Sequence, residues 1–232
     1  MADTVDRPCA DAVEHADGLI VERFPVGRQQ ANAYLAYHTE SRVGALVDPG
    51  ADADVLLARI AALDIDLRAI VLTHAHWDHV GAAQVVGDAT GLPVHLHTAD
   101  AELLRRAPLF AARVDGVPMQ VPREVAWFAE ETSLPLDPTF RLALIPTPGH
   151  TAGASVVRLG EALFTGDTLL PRKAGRTDLP GGDAITLAHS LVRIRDELRS
   201  VTTVFPGHGA PWAASDAEAW LAEIGALTTG PQ

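Results

Sequence analysis

Three histidines and one aspartate lie within six positions of the sequence, in the stretch THAHWDH at residues 73–79. Their order is His74-x-His76-x-Asp78-His79. In a chain of this composition, such an arrangement arises by chance on the order of once in a thousand sequences. Imidazole and carboxylate groups, without a thiolate, suit a borderline divalent metal such as zinc. The stretch therefore indicates a metal site.

Three further fragments each have a histidine or an aspartate directly after an apolar run and beside glycine. These residues are His150 in PTPGHTAG, Asp167 in LFTGDTL and His208 in VFPGHGAP. Glycine permits tight turns and a close approach of the backbone to a site. The four fragments together supply five histidines and two aspartates, which are too many for one tetrahedral ion. They suffice for two ions that each keep an open position, as catalytic metal sites do.

Apolar runs that end at these fragments predict the elements that position them. The run LRAIVL predicts a buried strand that leads into the histidine cluster, and residues 80–91 predict a helix after it. Loops at strand ends suit a site because they are exposed and yet anchored. Strand runs interleaved with helices predict two layers of sheet covered by helices. The other predicted strands cover residues 19–27, 32–38, 44–50, 92–100, 139–150 and 201–209, with a hairpin at 153–167 that turns at Gly160. The other predicted helices cover residues 52–64, 183–199 and 215–227, and residues 99–131 are helix-like with breaks at Pro108, Pro118 and Pro122.

The overall composition bounds the compartment and the partners. The 232 residues include 18 basic and 30 acidic side chains, so the net charge of -12 argues against a nucleic-acid partner. The sequence has no signal-peptide core and no run of about 18 apolar residues, which predicts no membrane partner and a cytoplasmic protein. Its one cysteine, Cys9, excludes an intramolecular disulfide. We expect a disordered N-terminal tail over residues 1–18 and a single domain over residues 19–232.

The four fragments, in this order, resemble the metallo-β-lactamase superfamily, and the resemblance spans roughly residues 18–225. It implies an α/β fold, the four-layer αββα sandwich, with the metals at one edge between the sheets. The Asp48 of VDPG would support the ligands from behind. Two metal ions would share seven ligands: His74, His76 and His150 on the first ion, Asp78, His79 and His208 on the second, and Asp167 as the bridge.

The run GDTLLPRKAGRTDLPGGD is similar to the glyoxalase II-like (hydroxyacylglutathione hydrolase-like) branch. That resemblance implies a dinuclear metal-dependent hydrolase that cleaves a thioester through a metal-bridging hydroxide, with Asp78 and Asp167 as catalytic residues. Two divalent ions are expected, zinc first and iron or manganese as alternatives. The substrate would be a small acyl-thiol or ester. The bridging Asp167 argues against true β-lactamases, which lack a carboxylate at this point.

Other functions stay open at this stage. A mononuclear iron persulfide dioxygenase would use His74, His150 and Asp167, although Ala174 stands where a cysteine of that group is expected. A lactone or ester hydrolase of the same fold and a non-catalytic metal-binding sensor are further alternatives. For the substrate, the sequence offers a basic patch that can select a carboxylate or form an ordinary solvated loop. This patch consists of Arg172, Lys173 and Arg176.

Overall fold

The computed structural model of the chain describes residues 11–138 and 140–228. The first sheet has seven strands in sequence order, antiparallel from β1 to β4 and parallel from β4 to β7. These strands are β1 (Asp11–Glu14), β2 (Leu19–Val26), β3 (Ala31–His38), β4 (Val43–Val47), β5 (Asp66–Val71), β6 (Val94–His97) and β7 (Val125–Phe128).

The second sheet has six strands, and its order is β15-β14-β11-β10-β9-β8, with β11 and β14 parallel. Its strands are β8 (Thr132–Pro135), β9 (Arg141–Pro146), β10 (Ser155–Leu159), β11 (Ala162–Gly166), β14 (Thr203–Pro206) and β15 (Trp212–Ala213). A small hairpin consists of β12 (Leu169–Leu170) and β13 (Lys173–Ala174).

Among residues 11–138 and 140–228, six α-helices cover the outer faces of the sheets or, in the case of the short α2, carry ligands of the site. They are α1 (Ala53–Ala62), α2 (Trp77–Val80), α3 (Ala83–Thr90), α4 (Ala101–Phe110), α5 (Ala184–Leu198) and α6 (Ala214–Thr228). A 3₁₀ turn at Thr98–Asp100 precedes α4, and a π-helical turn at Ala111–Asp115 follows it.

Apolar residues at successive strand positions pack on opposite faces, and this explains why each sheet lies between two other layers. In β3, Tyr34 and Ala36 face the second sheet, where they meet Phe164 and Phe205 in one core cluster. Leu35 and its neighbours of the same parity face the other way, toward α1, α3 and α4. The outer face of the second sheet packs against α5 and α6 in a third cluster. Because successive strand residues point to opposite faces, both sheets bury both faces, and the predicted αββα sandwich is confirmed.

The structure corrects the sequence-based elements in two places. The segment at residues 11–14 forms β1 and pairs with β2, so the expected disordered tail over residues 1–18 is wrong for this segment. Residues 1–10, including Cys9, lie outside the described residues. The predicted break at Pro108 is wrong, because Pro108 lies inside α4. Helical structure ends at the π-helical turn, before Pro118 and Pro122, which lack the backbone N–H that a helix needs. The β-branched and aromatic run VAWF then pairs with β6 as strand β7.

Candidate metal centre

Loops at one edge of the sandwich carry all seven predicted ligands. The histidine cluster follows β5, and His150 follows β9, while Asp167 follows β11 and His208 follows β14. Since β11 and β14 are parallel, their carboxyl ends meet at the same edge of the second sheet. The hairpin predicted to turn at Gly160 is confirmed, and β11 of this hairpin ends beside the site.

The first group of side chains consists of His74, His76 and His150, and all three are buried. One nitrogen of each lies within 4.8 Å of the others. Nε2 of His150 is 3.0 Å from Nδ1 of His76, and the ring of His74 lies 4.8 Å from each of the other two rings. Three imidazoles therefore aim at one point, as three protein ligands of a metal ion do.

The second group consists of Asp78, His79 and His208, whose ligand atoms again lie within 4.8 Å of one another. Oδ2 of Asp78 is 3.3 Å from Nε2 of His208 and 3.8 Å from Nε2 of His79. The ring of His79 is completely buried, whereas the side chain of His208 is 30% exposed. The second group is therefore the open side of the site.

Asp167 lies between the two groups. Its carboxylate is 3.8 Å from Nε2 of His150 in the first group, 3.6 Å from Nε2 of His79 and 3.7 Å from Nε2 of His208. The backbone around it leaves no spare room, because a Cβ at Gly207 would overlap Oδ1 of Asp167. One carboxylate can therefore serve both groups at once.

Hydrogen bonds on the far side of three rings fix which nitrogen faces the site. Thr73 donates its hydroxyl proton to Asp48, so the same oxygen accepts from Nδ1 of His74. His79 donates from Nδ1 to Oδ2 of Asp48, and His150 donates from Nδ1 to the carbonyl of Arg176. Because each Nδ1 makes these contacts, Nε2 is the nitrogen of each ring that faces the cluster and can coordinate a metal ion.

Several ligand atoms of the cluster have no hydrogen-bond partner within the described part of the chain. They are buried, and they include Nε2 of His74, Nε2 of His79 and Oδ1 of Asp167. A buried polar atom without a partner costs about 1–3 kcal/mol. Coordination to divalent metal would satisfy these atoms, so the donor set fits metal ions. The identity of the metal does not follow from this set, since imidazole and carboxylate suit zinc, iron and manganese alike.

Electrostatics separates the two groups. Burial, followed by the neighbouring imidazoles, lowers the pKa of His74 well below its usual value and lowers the pKa of His76 to about 3. Burial would also lower the pKa of His79, but the carboxylates of Asp78, Asp48 and Asp167 together raise it to about 10. Burial likewise raises the pKa of Asp78, yet the adjacent His79 and His208 outweigh it and lower that pKa. The first group is neutral and the second is strongly polar.

Asp48 is the residue expected to support the ligands from behind, and it lies directly behind both groups. It follows β4 with a φ of 51°, in a conformation that aspartate tolerates better than most residues. Its Oδ1 accepts from the backbone N–H of Thr73 at 2.7 Å, and its Oδ2 accepts from Thr73 and His79. Asp48 thus orients one histidine directly and His74 through Thr73.

A second buried carboxylate, Asp100, was not predicted from the sequence. It accepts from the backbone N–H of Ala75 at 2.9 Å and of Gly153 at 2.6 Å, and from the hydroxyl of Thr151. These donors belong to the loops that carry His76 and His150. Asp100 therefore ties the two loops of the first group together. The only signal for it in the sequence is a carboxylate after a short predicted strand.

The loop that carries His208 is held by two polar residues of β3. Asn32 is completely buried and donates to the carbonyls of Pro206 at 2.9 Å and Gly209 at 2.8 Å. The hydroxyl of Tyr34 donates to the same Pro206 carbonyl at 2.6 Å. The first sheet thus positions a ligand that the second sheet carries. A polar asparagine at the start of the apolar run NAYLAYH was the available signal.

The basic patch lies on the surface, and two of its side chains have acidic partners. Arg172 lies 3.6 Å from Glu223, and Arg176 makes two hydrogen bonds of 2.7 Å to Asp178. Lys173 is exposed on β13. Arg176 reaches the cluster through its backbone carbonyl, while its guanidinium binds Asp178. The expected substrate role of Arg172, Lys173 and Arg176 stays a prediction.

Comparisons with known proteins agree with this geometry. The chain matches the family model described as the metallo-beta-lactamase superfamily over residues 26–208. Over 193 residues it is 32% identical to a protein of Haemophilus influenzae named hydroxyacylglutathione hydrolase GloC. That match covers 82% of this chain and 91% of the relative.

No helix within the described residues is both long enough and apolar enough to cross a membrane.

Two solved structures are similar along most of the chain. One is described as the BLEG-1 B3 metallo-beta-lactamase, with 33% identity, a TM-score of 0.77 and coverage of 87% of this chain and 99% of that one. The other is described as TTHA1623 in a di-iron-bound form, with 36% identity, a TM-score of 0.73 and coverage of 85% and 96%. Because one of these neighbours is described as a metallo-beta-lactamase, the use of Asp167 to argue against β-lactamase activity stays a prediction.

Proposed function

Because the chain belongs to the metallo-beta-lactamase superfamily, we propose that it is a dinuclear metal-dependent hydrolase that cleaves the thioester of a small acyl-thiol. The observation that carries the proposal is the position of Asp167. One carboxylate lies within 3.8 Å of His150 from the first group and of both histidines of the second. A carboxylate between two sets of three ligands is suited to hold a pair of ions together.

The proposed ligands follow the two groups described above. When bound, two divalent ions activate a water and polarise a carbonyl at neutral pH. The first ion is assigned to His74, His76 and His150, the second to Asp78, His79 and His208, and Asp167 is assigned to both.

The protein's own groups have separate tasks in this proposal. Asp78 keeps a low pKa beside His79 and His208, so it stays ionised and can orient a water by accepting its hydrogen. Asp167 places its carboxylate between the two groups. His208, with its exposed edge, borders the opening through which a substrate enters. Asp48 keeps the Nε2 atom of His79 directed at the cluster throughout.

Support for a thioester comes from the relative named hydroxyacylglutathione hydrolase GloC. It comes also from the sequence run after Asp167, which is similar to glyoxalase II-like hydrolases. A leaving thiolate is a weakly basic group, so hydrolysis needs an activated water more than a general acid on the leaving side. The carboxylate of Asp78, whose pKa His79 and His208 lower, agrees with this demand.

Metal content and turnover test the proposal together. Protein purified without added metal is analysed for elements, and a panel of thioesters is followed by release of the free thiol. We expect two divalent ions per chain and turnover of at least one thioester. A single iron with oxygen consumption on a thiol persulfide would establish the dioxygenase alternative instead. Two bound ions with no turnover of any thioester, ester or lactone would favour a metal-binding sensor.

β-Lactam hydrolysis is a second candidate, favoured by the 33% identity to a structure described as a B3 metallo-beta-lactamase. The amide of a β-lactam is attacked by the same kind of activated water. A chromogenic cephalosporin, assayed beside the thioester panel with the same protein, separates the two. The thioester proposal expects the higher kcat/KM on a thioester, and the opposite order would reverse the ranking.

A further inference from the structure

A cavity of about 430 Å³ adjoins Asp78 on the open side of the site. Its volume lies within the range of small-molecule sites. One wall is the turn between β2 and β3, a second is Trp77 of the histidine cluster, and a third follows the π-helical turn. The apolar side chains that line it are Val26, Ala51, Trp77, Ala111, Val117, Pro118 and Met119.

The carboxylate of Asp115 joins the three walls. Its Oδ2 accepts from Nε1 of Trp77 at 2.7 Å, and its Oδ1 accepts from Nε2 of Gln29 at 2.6 Å. Asp115 is itself 9% exposed, and Trp77 also stacks on Phe110 with ring centroids 5.9 Å apart. Both walls that could otherwise move are therefore tied to one buried group. The cavity is preformed in its present shape.

Arg28 is the one basic residue among those that line the cavity. Its side chain is exposed at the tip of the β2–β3 turn, and it has no ion pair among residues 11–138 and 140–228. The three acidic residues of the lining have partners of their own: Asp115 accepts from Trp77 and Gln29, Asp52 accepts from the backbone of Gly27, and Asp78 lies 3.3 Å from Nε2 of His208. The guanidinium of Arg28 is thus available for an anion of the substrate.

We propose that this cavity binds the part of the substrate remote from the cleaved bond, and that Arg28 selects a carboxylate there. In this proposal Asp115 is a positioning residue, because it acts through Trp77 and Gln29. The substrate class is then an acyl-thiol with an apolar body and a carboxylate end. This inference rests on the proposed hydrolase function, since it names the substrate of the same site.

Binding of analogues that cannot be hydrolysed tests the role of Arg28. The probes are two pairs of thioethers: one pair carries a carboxylate or its primary amide on the acyl side, the other on the thiol side. Calorimetry on the metal-loaded protein gives each Kd. In Arg28→Gln, we expect the carboxylate of one pair, the pair whose polar end reaches Arg28, to bind about 10–100 times more weakly. The Kd of the matching amide should change less than about twofold.

The control is Arg105→Gln, which removes an exposed cation of α4 that lies outside the lining of the cavity. It should leave the preference for the carboxylate unchanged. Loss of this preference in Arg105→Gln, or equal weakening of both members of each pair in Arg28→Gln, would overturn the assignment. Because binding of thioethers needs no turnover, the carboxylate site at Arg28 can be contradicted while hydrolase activity is found. Equally, the binding test can succeed when no hydrolase activity is found.

The role of Asp115 is tested by a pair of variants. Asp115→Asn can keep both contacts, since the asparagine oxygen accepts from Trp77 and its NH₂ group donates to the amide oxygen of a flipped Gln29. Asp115→Ala loses both. We expect Asp115→Ala to raise KM at least about tenfold with kcat within about threefold and metal content unchanged, and Asp115→Asn to restore KM. A fall in kcat or in metal content that Asp115→Asn does not restore would contradict the positioning role.

Discussion

The first and second groups of ligands, here called the two halves of the candidate metal centre, differ in how they are built. His74, His76 and His150 are buried, and their loops are tied together by Asp100 behind them. In the other half, His208 is 30% exposed, and its loop is held from the opposite sheet by Asn32. The first half is thus part of the core, while the second is a junction between the sheets.

This difference indicates a division of labour. A buried group with fixed rings loses little entropy when it binds an ion, so we expect the first half to hold its ion more firmly. The second half faces the open side and the cavity beside Asp78, where a substrate can enter. The carboxylates that contact both halves, Asp48 and Asp167, connect them.

The largest expected effect comes from Asp167, because it contacts both halves. Asp167→Ala should lower kcat/KM by about 10³-fold or more and reduce the metal content below two ions per chain. Elemental analysis and thiol release measure the two quantities. Asp167→Asn keeps the shape without the charge and serves as the matched variant. Full metal content and full turnover in Asp167→Ala would show that this carboxylate bridges nothing.

The sequence allowed prediction of the seven clustered side chains because their signals are local. His150, Asp167 and His208 each follow an apolar strand within a few residues of glycine, and this pattern is visible without any tertiary contact. The alternation in β3 and the helical spacing in α5 likewise made the sandwich predictable. The short strands β7 and β8 escaped, since four residues carry too little periodicity.

The supporting groups were not predictable in the same way. Asn32 binds the carbonyl of Pro206, 174 residues away, and Asp100 binds Thr151 on another loop. No local pattern records such a partner, because only the packing of the two sheets brings the groups together. Arg176 adds a different difficulty, since its contact with His150 uses a backbone carbonyl that every residue possesses.

Asp48 offers the next largest effect and a direct test of the link between the halves. In Asp48→Asn, the remaining oxygen can accept from the backbone N–H of Thr73, but the NH₂ group cannot accept from the Thr73 hydroxyl or from His79, so the rings of His74 and His79 lose their fixed orientation. We expect metal affinity to fall about 10–100-fold in both halves. Competition with a chromogenic chelator measures each step. If only one of the two ions binds more weakly, Asp48 does not support the half that holds the other ion.

Asn32 should affect only the second half. Asn32→Ala removes one donor from each of the Pro206 and Gly209 carbonyls, which keep only Tyr34 and the more distant Arg23, and the unfolding free energy should fall by about 1–3 kcal/mol. One ion should be retained at the affinity of the unmodified protein, and the other should bind about tenfold more weakly. Tyr34→Phe removes one of these hydrogen bonds and should give a smaller change in the same direction. Equal loss of both ions in Asn32→Ala would remove the distinction between the halves.

The smallest effect concerns pH and the strand that leads to His208. His15 packs against Phe205 of β14 with ring centroids 6.0 Å apart, and its Nδ1 is 3.1 Å from the hydroxyl of Thr202. Burial lowers the pKa of His15 below 6.5, although Asp17 and Glu161 oppose this shift. The unfolded chain therefore takes up this proton at higher pH than the folded chain, and the unfolding free energy decreases as the pH falls through 6.5.

Replacing His15 by asparagine, which can still pair with Thr202, should flatten the decline in stability on acidification. Urea unfolding of chelator-treated protein at several pH values between about 7 and 5 measures the slope, and the exposed His189→Asn is the matched control. Because chelation keeps metal release out of the comparison, the difference between the two variants isolates His15. An unchanged slope in His15→Asn would show that His15 and its contact with β14 do not contribute to the loss of stability in acid.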